Sequence, residues 1–366
     1  MGSSIILRRF ALIFSAMLIP LSLGFAFVHA TNGSGPDSEV SISNGVLTVY
    51  IESEVSYDGV GTYTVCTGPN HPVPNQDVLQ FGVEGDAWTS YNTVHLVGTG
   101  VDYITETDTS IIPYSGFSLA ILDGLTPSIV EQTQTRMVVR WLTNEGLNIT
   151  QIIEVLGSTV TDTYVRVTTT IRNDNDTYSY GVGIRYLWDL NVADTDGSWL
   201  RTVNPTSSWL GNEQTWAPPS FSYWEATDDP VDPTLIVRGS ITEPSTLSPK
   251  PTPPDVFTFA AWGRNSLPNP GLYDYAWDFT TLNRLVAGAE LDSAVAYYWG
   301  PRTLEPDGEM SVTAYIWYSP PTPVGGFIVD SVPNVCSQFI LLVAIVSSCT
   351  ALGFALAKIC GKRGYL

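Results

Sequence analysis

Between residues 40 and 320, apolar side chains recur at every second position almost throughout. In Thr163–Ile171, Val165, Val167 and Ile171 point to one side while Tyr164, Arg166, Thr168 and Thr170 point to the other. Such alternation is the pattern of a half-buried strand, because successive side chains leave a strand on opposite faces. Comparable β-branched and aromatic runs occupy 46–51, 61–66, 93–97, 137–142, 149–155, 183–190, 234–237, 256–262, 294–299 and 311–317. Asn-Gly, Asp-Gly, Pro-Pro and Gly-Pro pairs fill the connections and favour turns. No twelve-residue window away from the termini carries a 3.6-residue period. The pattern predicts an all-β domain, a large antiparallel β-sandwich of ten to twenty strands over residues 31–318.

Some strands are apolar on both sides, as where Val312, Ala314 and Ile316 alternate with Tyr315 and Trp317. This predicts central strands covered twice, or a wide sheet with long loops folded over it. The Pro-rich residues 243–255 read as one such loop; two smaller sandwiches divided near residue 130 or 250 are the alternative.

The two ends follow a different pattern. Residues 335–357 contain no ionisable carboxylate, amine or guanidinium and match the ~20 residues that cross a bilayer as a helix. Lys358, Lys362 and Arg363 then mark residues 358–366 as a basic cytoplasmic tail. Pro320, Pro321, Pro323, Gly325 and Gly326 make 319–334 a short stalk. At the other end, Arg8 and Arg9 precede an apolar run to Val28, and Val28-His29-Ala30 has the form of a cleavage site. Residues 1–30 thus read as a signal peptide, with an uncleaved anchor as the alternative. The expectation is a cell-membrane protein with its large domain outside and its C-terminus in the cytoplasm.

Charge narrows the partners. All 36 acidic residues lie within residues 31–330 against 11 basic ones, an excess of 25 negative charges, with Lys250 the single lysine there. Such a field repels phosphate backbones and argues against nucleic acid. Charged residues make up only 14% of the chain and hydrophobic ones 44%, so a packed core is affordable without disulfides. Of four cysteines only Cys66 lies in the body of the domain, and a buried free thiol is the expectation there.

The order of signal peptide, all-β exterior domain, stalk and terminal helix resembles archaeal and bacterial secreted surface proteins with a C-terminal anchor. The strand-rich segments 163–199, 254–263 and 292–299 are similar to the supersandwich of galactose-mutarotase-like proteins. That resemblance implies a fold. His71 and His95 stand outside the histidine motifs of mutarotases, and no catalytic residue is carried over.

Three sets of residues carry candidate chemistry. Asp189, Asn191, Asp194 and Asp196, closed by Gly197, alternate oxygen donors in a way that can wrap a hard cation such as Ca2+; a solvated turn is the competing account. Trp199, Trp209, Trp216 and Trp224 crowd a segment rich in Asn, Ser, Thr and Pro. Indoles there either stack on sugar rings or pin loops to the sandwich. Asn32, Asn148 and Asn175 open Asn-x-Ser/Thr sequons, with Asn175 in a turn between two strong strands. No Gly-x-Ser-x-Gly elbow or histidine-rich metal motif occurs. The functional expectation is a non-catalytic surface protein for envelope architecture, adhesion or glycan recognition; the alternative is an anchored carbohydrate-active enzyme, a glycosidase or epimerase-like protein. Partners would be the membrane, surface glycans or other envelope proteins.

Overall fold

A computed structural model describes residues 39–55, 59–107, 111–112, 117–263 and 270–319. The signal segment, Asn32, residues 320–334 of the stalk, the apolar stretch 335–357 and the tail lie outside these. Among the described residues no helix is long and apolar enough to cross a membrane.

The described residues belong to one compact unit ending at Pro320, and it is all-β. A three-stranded sheet joins β1 (Glu39–Ser43), β2 (Leu47–Glu52) and β3 (Tyr63–Thr67). The next strands in the chain are β4 (Tyr91–Val97), β5 (Val101–Ile104), β6 (Ser118–Ile121), β7 (Ser128–Gln132), β8 (Arg136–Leu142) and β9 (Leu147–Leu156). They are followed by β10 (Tyr164–Asn173), β11 (Tyr180–Leu190), β12 (Trp199–Val203), β13 (Gln214–Trp216), β14 (Tyr223–Thr227) and β15 (Ile236–Ser240). The last three are β16 (Val256–Ala261), β17 (Ser293–Leu304) and β18 (Glu309–Ser319). An eight-stranded sheet runs β12-β14-β15-β18-β10-β9-β8-β7 and a seven-stranded sheet β13-β16-β17-β11-β4-β5-β6. All pairings are antiparallel except β5 with β6, which is parallel, so the seven-stranded sheet is mixed where a purely antiparallel one was expected.

The sheets face each other across one core. Val165, Val167 and Ile171 of β10 meet Ile184, Tyr186 and Trp188 of β11 there. Hydrogen bonds between buried side chains lock the layers: Trp224 Nε1 donates to Tyr297 Oη at 2.6 Å, and Tyr186 Oη to Thr169 Oγ1 at 2.9 Å. A second cluster covers the outer face of the seven-stranded sheet, where Leu272, Tyr273 and Ala276 pack on Tyr91, Leu187 and Tyr298. The strand expected to be two-sided, β18, belongs to the eight-stranded sheet and is covered separately, by the Pro-rich segment 243–255, where Tyr315 Oη donates to Pro249 O.

The Pro-rich segment 243–255 is a loop within the unit. β15 pairs with only the last four residues of β18, from Ile316 to Ser319, and the loop takes over farther along. Thr252 N donates to Thr313 O at 2.9 Å and Trp299 Nε1 to Thr252 O at 2.9 Å.

Candidate metal centre and the outer sheet face

Asp189 is the next-to-last residue of β11, and the chain turns back within the following loop to bring Asp196 beside it. The third member of the group, Asp292, comes from the residue before β17, the neighbour of β11 in the sheet. The pairing of Asp189 with Ala294 fixes that approach. Backbone bonds hold the loops together: Ser293 N donates to Asp196 O at 3.0 Å and Gly288 N to Gly197 O at 2.7 Å. A Cβ on Gly197 would collide with the Gly288 carbonyl, so glycine allows the close approach.

One oxygen from each of the three carboxylates lies within 4.8 Å of the others. Asp189 is only 2% exposed. Oδ1 of Asp189 and Oδ1 of Asp292 are buried and have no hydrogen-bond partner among the described residues. Burial first, then the charges of Asp292 and Asp196, holds the Asp189 carboxyl well above the usual carboxylate range. Asp292 is pushed up to about 8 by burial and by Asp196, opposed by the Gly263 N–H, and Asp196 is pushed up to about 6 by burial. Three other buried carboxylates are neutralised by arginine: Glu154 holds Arg136 and Arg166, Glu225 holds Arg201 and Arg238, and Glu213 holds Arg284. Among the described residues the aspartate trio has no such partner.

Of the expected ligand set, Asp189 and Asp196 converge; Asn191 donates its Nδ2 to Asp77 Oδ2 at 2.8 Å while its buried Oδ1 has no hydrogen-bond partner among the described residues, and Asp194 is exposed. Ala193 and Asp194 both take left-handed backbone angles, φ 50° and 60°, in a tight turn of the loop. Asp292 was missed because nothing in its local sequence links it to a segment nearly a hundred residues earlier.

The tryptophans separate into two groups. Trp224, a candidate either for a glycan surface or for anchoring the fold, is 0% exposed in the core, where β14 turns its indole inward onto Tyr297. Trp216 packs beside Phe221 and Phe257, and Trp199 lies against the same core. Trp209 remains partly exposed, with the Arg201 guanidinium 4.4 Å from its ring centroid.

Trp209 borders the outer face of the eight-stranded sheet, where charged and aromatic side chains stand in register. Arg201, Glu225, Arg238, Trp317 and Tyr164 form one row across five strands. Tyr315, Arg166, Glu154 and Arg136 form the next. Tyr223 lies under Arg238 at 5.0 Å and against Trp317 at 5.7 Å.

Of the sequon residues, Asn175 is half-buried with Nδ2 donating to Glu145 O at 3.1 Å, and Asn148 Nδ2 donates to Asp174 Oδ2 at 3.1 Å. Both sit at one end of the sandwich. His95 and Asp102, paired across β4 and β5, form a buried contact of 2.6 Å between Nδ1 and Oδ1. Trp277 stacks on the imidazole at 4.3 Å and covers it. Cys66 is a buried free thiol, pushed up to about 12 by burial and by the charges of Asp77 and Glu84.

No protein-family model matches the chain, and no curated protein is similar enough to match. Among solved structures, a TPR-domain containing protein from Parabacteroides distasonis aligns at 11% identity with a TM-score of 0.35. The alignment covers 81% of this chain and 51% of that one, so this chain spans about half the other's length. A likeness at that score carries no argument about fold or function.

Proposed function

We propose that the chain is an exported, membrane-anchored, non-catalytic surface protein that recognises glycans through the outer face of its eight-stranded sheet. The observation that carries this reading is the row Arg201–Glu225–Arg238–Trp317–Tyr164, bordered by Trp209 and Tyr223. The partly exposed rings of Trp209, Tyr223 and Tyr164, backed by the buried Trp317, offer flat apolar surface for pyranose C–H faces. Guanidinium groups held rigid by the buried Glu154 and Glu225 carboxylates present donors to sugar hydroxyls at little entropic cost. The apolar stretch 335–357 with its basic flank supports anchoring, and the leader 1–30 supports export. The two large facing sheets, each with chain folded over part of its outer side, are compatible with a supersandwich. The enzyme reading gains nothing from the aspartate trio, since Asp189 lies too deep for a sugar ring to reach.

The test uses the full-length chain in detergent against a panel of surface polysaccharides. Trp209→Ala is expected to weaken binding at least ~10-fold, equivalent to about 1.4 kcal/mol. Tm should move by no more than about 3 °C, because the ring is partly exposed. Binding unchanged by this substitution and by Tyr223→Ala would remove the face from the account.

A further inference from the structure

We infer that Asp189, Asp196 and Asp292 form a binding site for one hard divalent cation, calcium. The argument is independent of the glycan-binding face and rests on three features of the trio.

The first is span. Calcium binds oxygen at about 2.3–2.6 Å, so ligand atoms on opposite sides of one ion are at most about 5 Å apart. The three carboxylate oxygens lie within 4.8 Å of one another. A single ion can touch all three without rearrangement of the backbone.

The second is unmet demand. Asp189 is 2% exposed, its Oδ1 has no hydrogen-bond partner among the described residues, and its carboxylate converges on the other two. Oδ1 of Asp292 is unpartnered in the same way. A buried polar atom left without a partner costs free energy, and a buried like-charged group costs more. Elsewhere in this fold arginines meet that demand, as at Glu154 and Glu225. A cation among the aspartates would do the same for all three.

The third is the donor chemistry and its support. Carboxylate oxygens alone, without thiolate or imidazole, select hard ions over zinc or copper. The group is also built into the fold: β11, the β11–β12 loop and the entry to β17 are bound to one another by the backbone contacts of Asp196, Gly197, Gly288 and Ser293. Such a scaffold holds its ligands in place before the ion arrives. Three carboxylates leave further coordination positions for water, which suits the six to eight oxygens of calcium. The ion would then join two segments distant in sequence, closing the end of the sandwich where β11 and β17 meet.

Calcium titration of the full-length chain after chelator treatment, followed by calorimetry and by thermal unfolding, tests the site. One ion per chain is expected, with a dissociation constant between roughly 10⁻⁶ and 10⁻³ M and a rise in Tm on saturation. Asp292→Asn is expected to weaken binding at least ~10-fold and to abolish the Tm rise. In chelator, the same variant should melt no lower than the unsubstituted chain, since the amide puts no charge into the enclosed trio. Asp189→Asn supplies a second variant if the first folds poorly. Absence of heat and of any Tm shift with the folded chain at about 10 mM calcium would overturn the inference. Undiminished binding by both folded variants would overturn it too.

Discussion

Asp77 and Asp123 are carboxyls enclosed by protein, and each is tied to backbone amides: Asp77 accepts from Val83 N at 2.6 Å, Asp123 from Val60 N at 3.0 and 3.1 Å. Burial nevertheless dominates and pushes them up to about 7 and about 6. A carboxyl whose folded pKa lies above its unfolded value binds its proton more tightly in the folded state. Its stabilising contribution is complete below about pH 4 and is lost as pH rises through the folded pKa. Asp189, Asp196 and Asp292 are raised in the same direction. In chelator, the Tm of the chain should therefore fall by roughly 5 °C or more between pH 5 and pH 8. A melting series that rises over that interval would contradict the assignment. Legibility at this scale was partial. The spacing of Asp189 and Asp196 pointed to a shared site, but only the pairing of β11 with β17 brings Asp292 to it, and strand pairing is not written in local sequence. The tryptophans were ambiguous for another reason: an indole on a short strand and one on a loop have the same neighbours in sequence. The structure separates Trp224 from Trp209 by face.

β15 shows what holds the strands at their spacing. Gly239 faces the Trp224 indole of β14, and a Cβ there would overlap that ring. Trp224 is fully buried and anchored through Nε1 to Tyr297, so it has little room to yield. Gly239→Ala is expected to destabilise the chain by about 1–3 kcal/mol, the cost of overpacking a filled core. Denaturant unfolding would measure it, and a neutral result would mean that the ring moves freely. Strands with long alternating runs, such as β9, β10, β11, β17 and β18, were legible because each buries a full apolar face. β7 was not: all five of its residues are exposed at the edge of the sheet, so no alternation marks it. β12, β13 and β14 lie in the tryptophan-rich segment that reads as loop, each five residues or shorter and separated by Pro, Ser and Asn.

For the whole molecule, the excess of 25 negative charges over residues 31–330 coexists with an orderly use of few cations. Arg136, Arg166, Arg201 and Arg238 stand together on the outer face of the eight-stranded sheet and neutralise Glu154 and Glu225. That concentration gives one face a chemistry unlike the acidic remainder, and it places the half-buried rings of Trp209, Tyr223 and Tyr164 among fixed polar groups. The all-β class was legible from period-two patterning, because burial on a sheet imposes that period everywhere. The face proposed for recognition was not, since its rows form only when strands distant in the chain come into register. The most direct test of the functional account is one incubation of the full-length chain with a panel of surface polysaccharides, in which retention and reducing-end release are both measured. The account predicts retention of at least one polysaccharide with no sugar released. Release of sugar, or no retention across the panel, would contradict it.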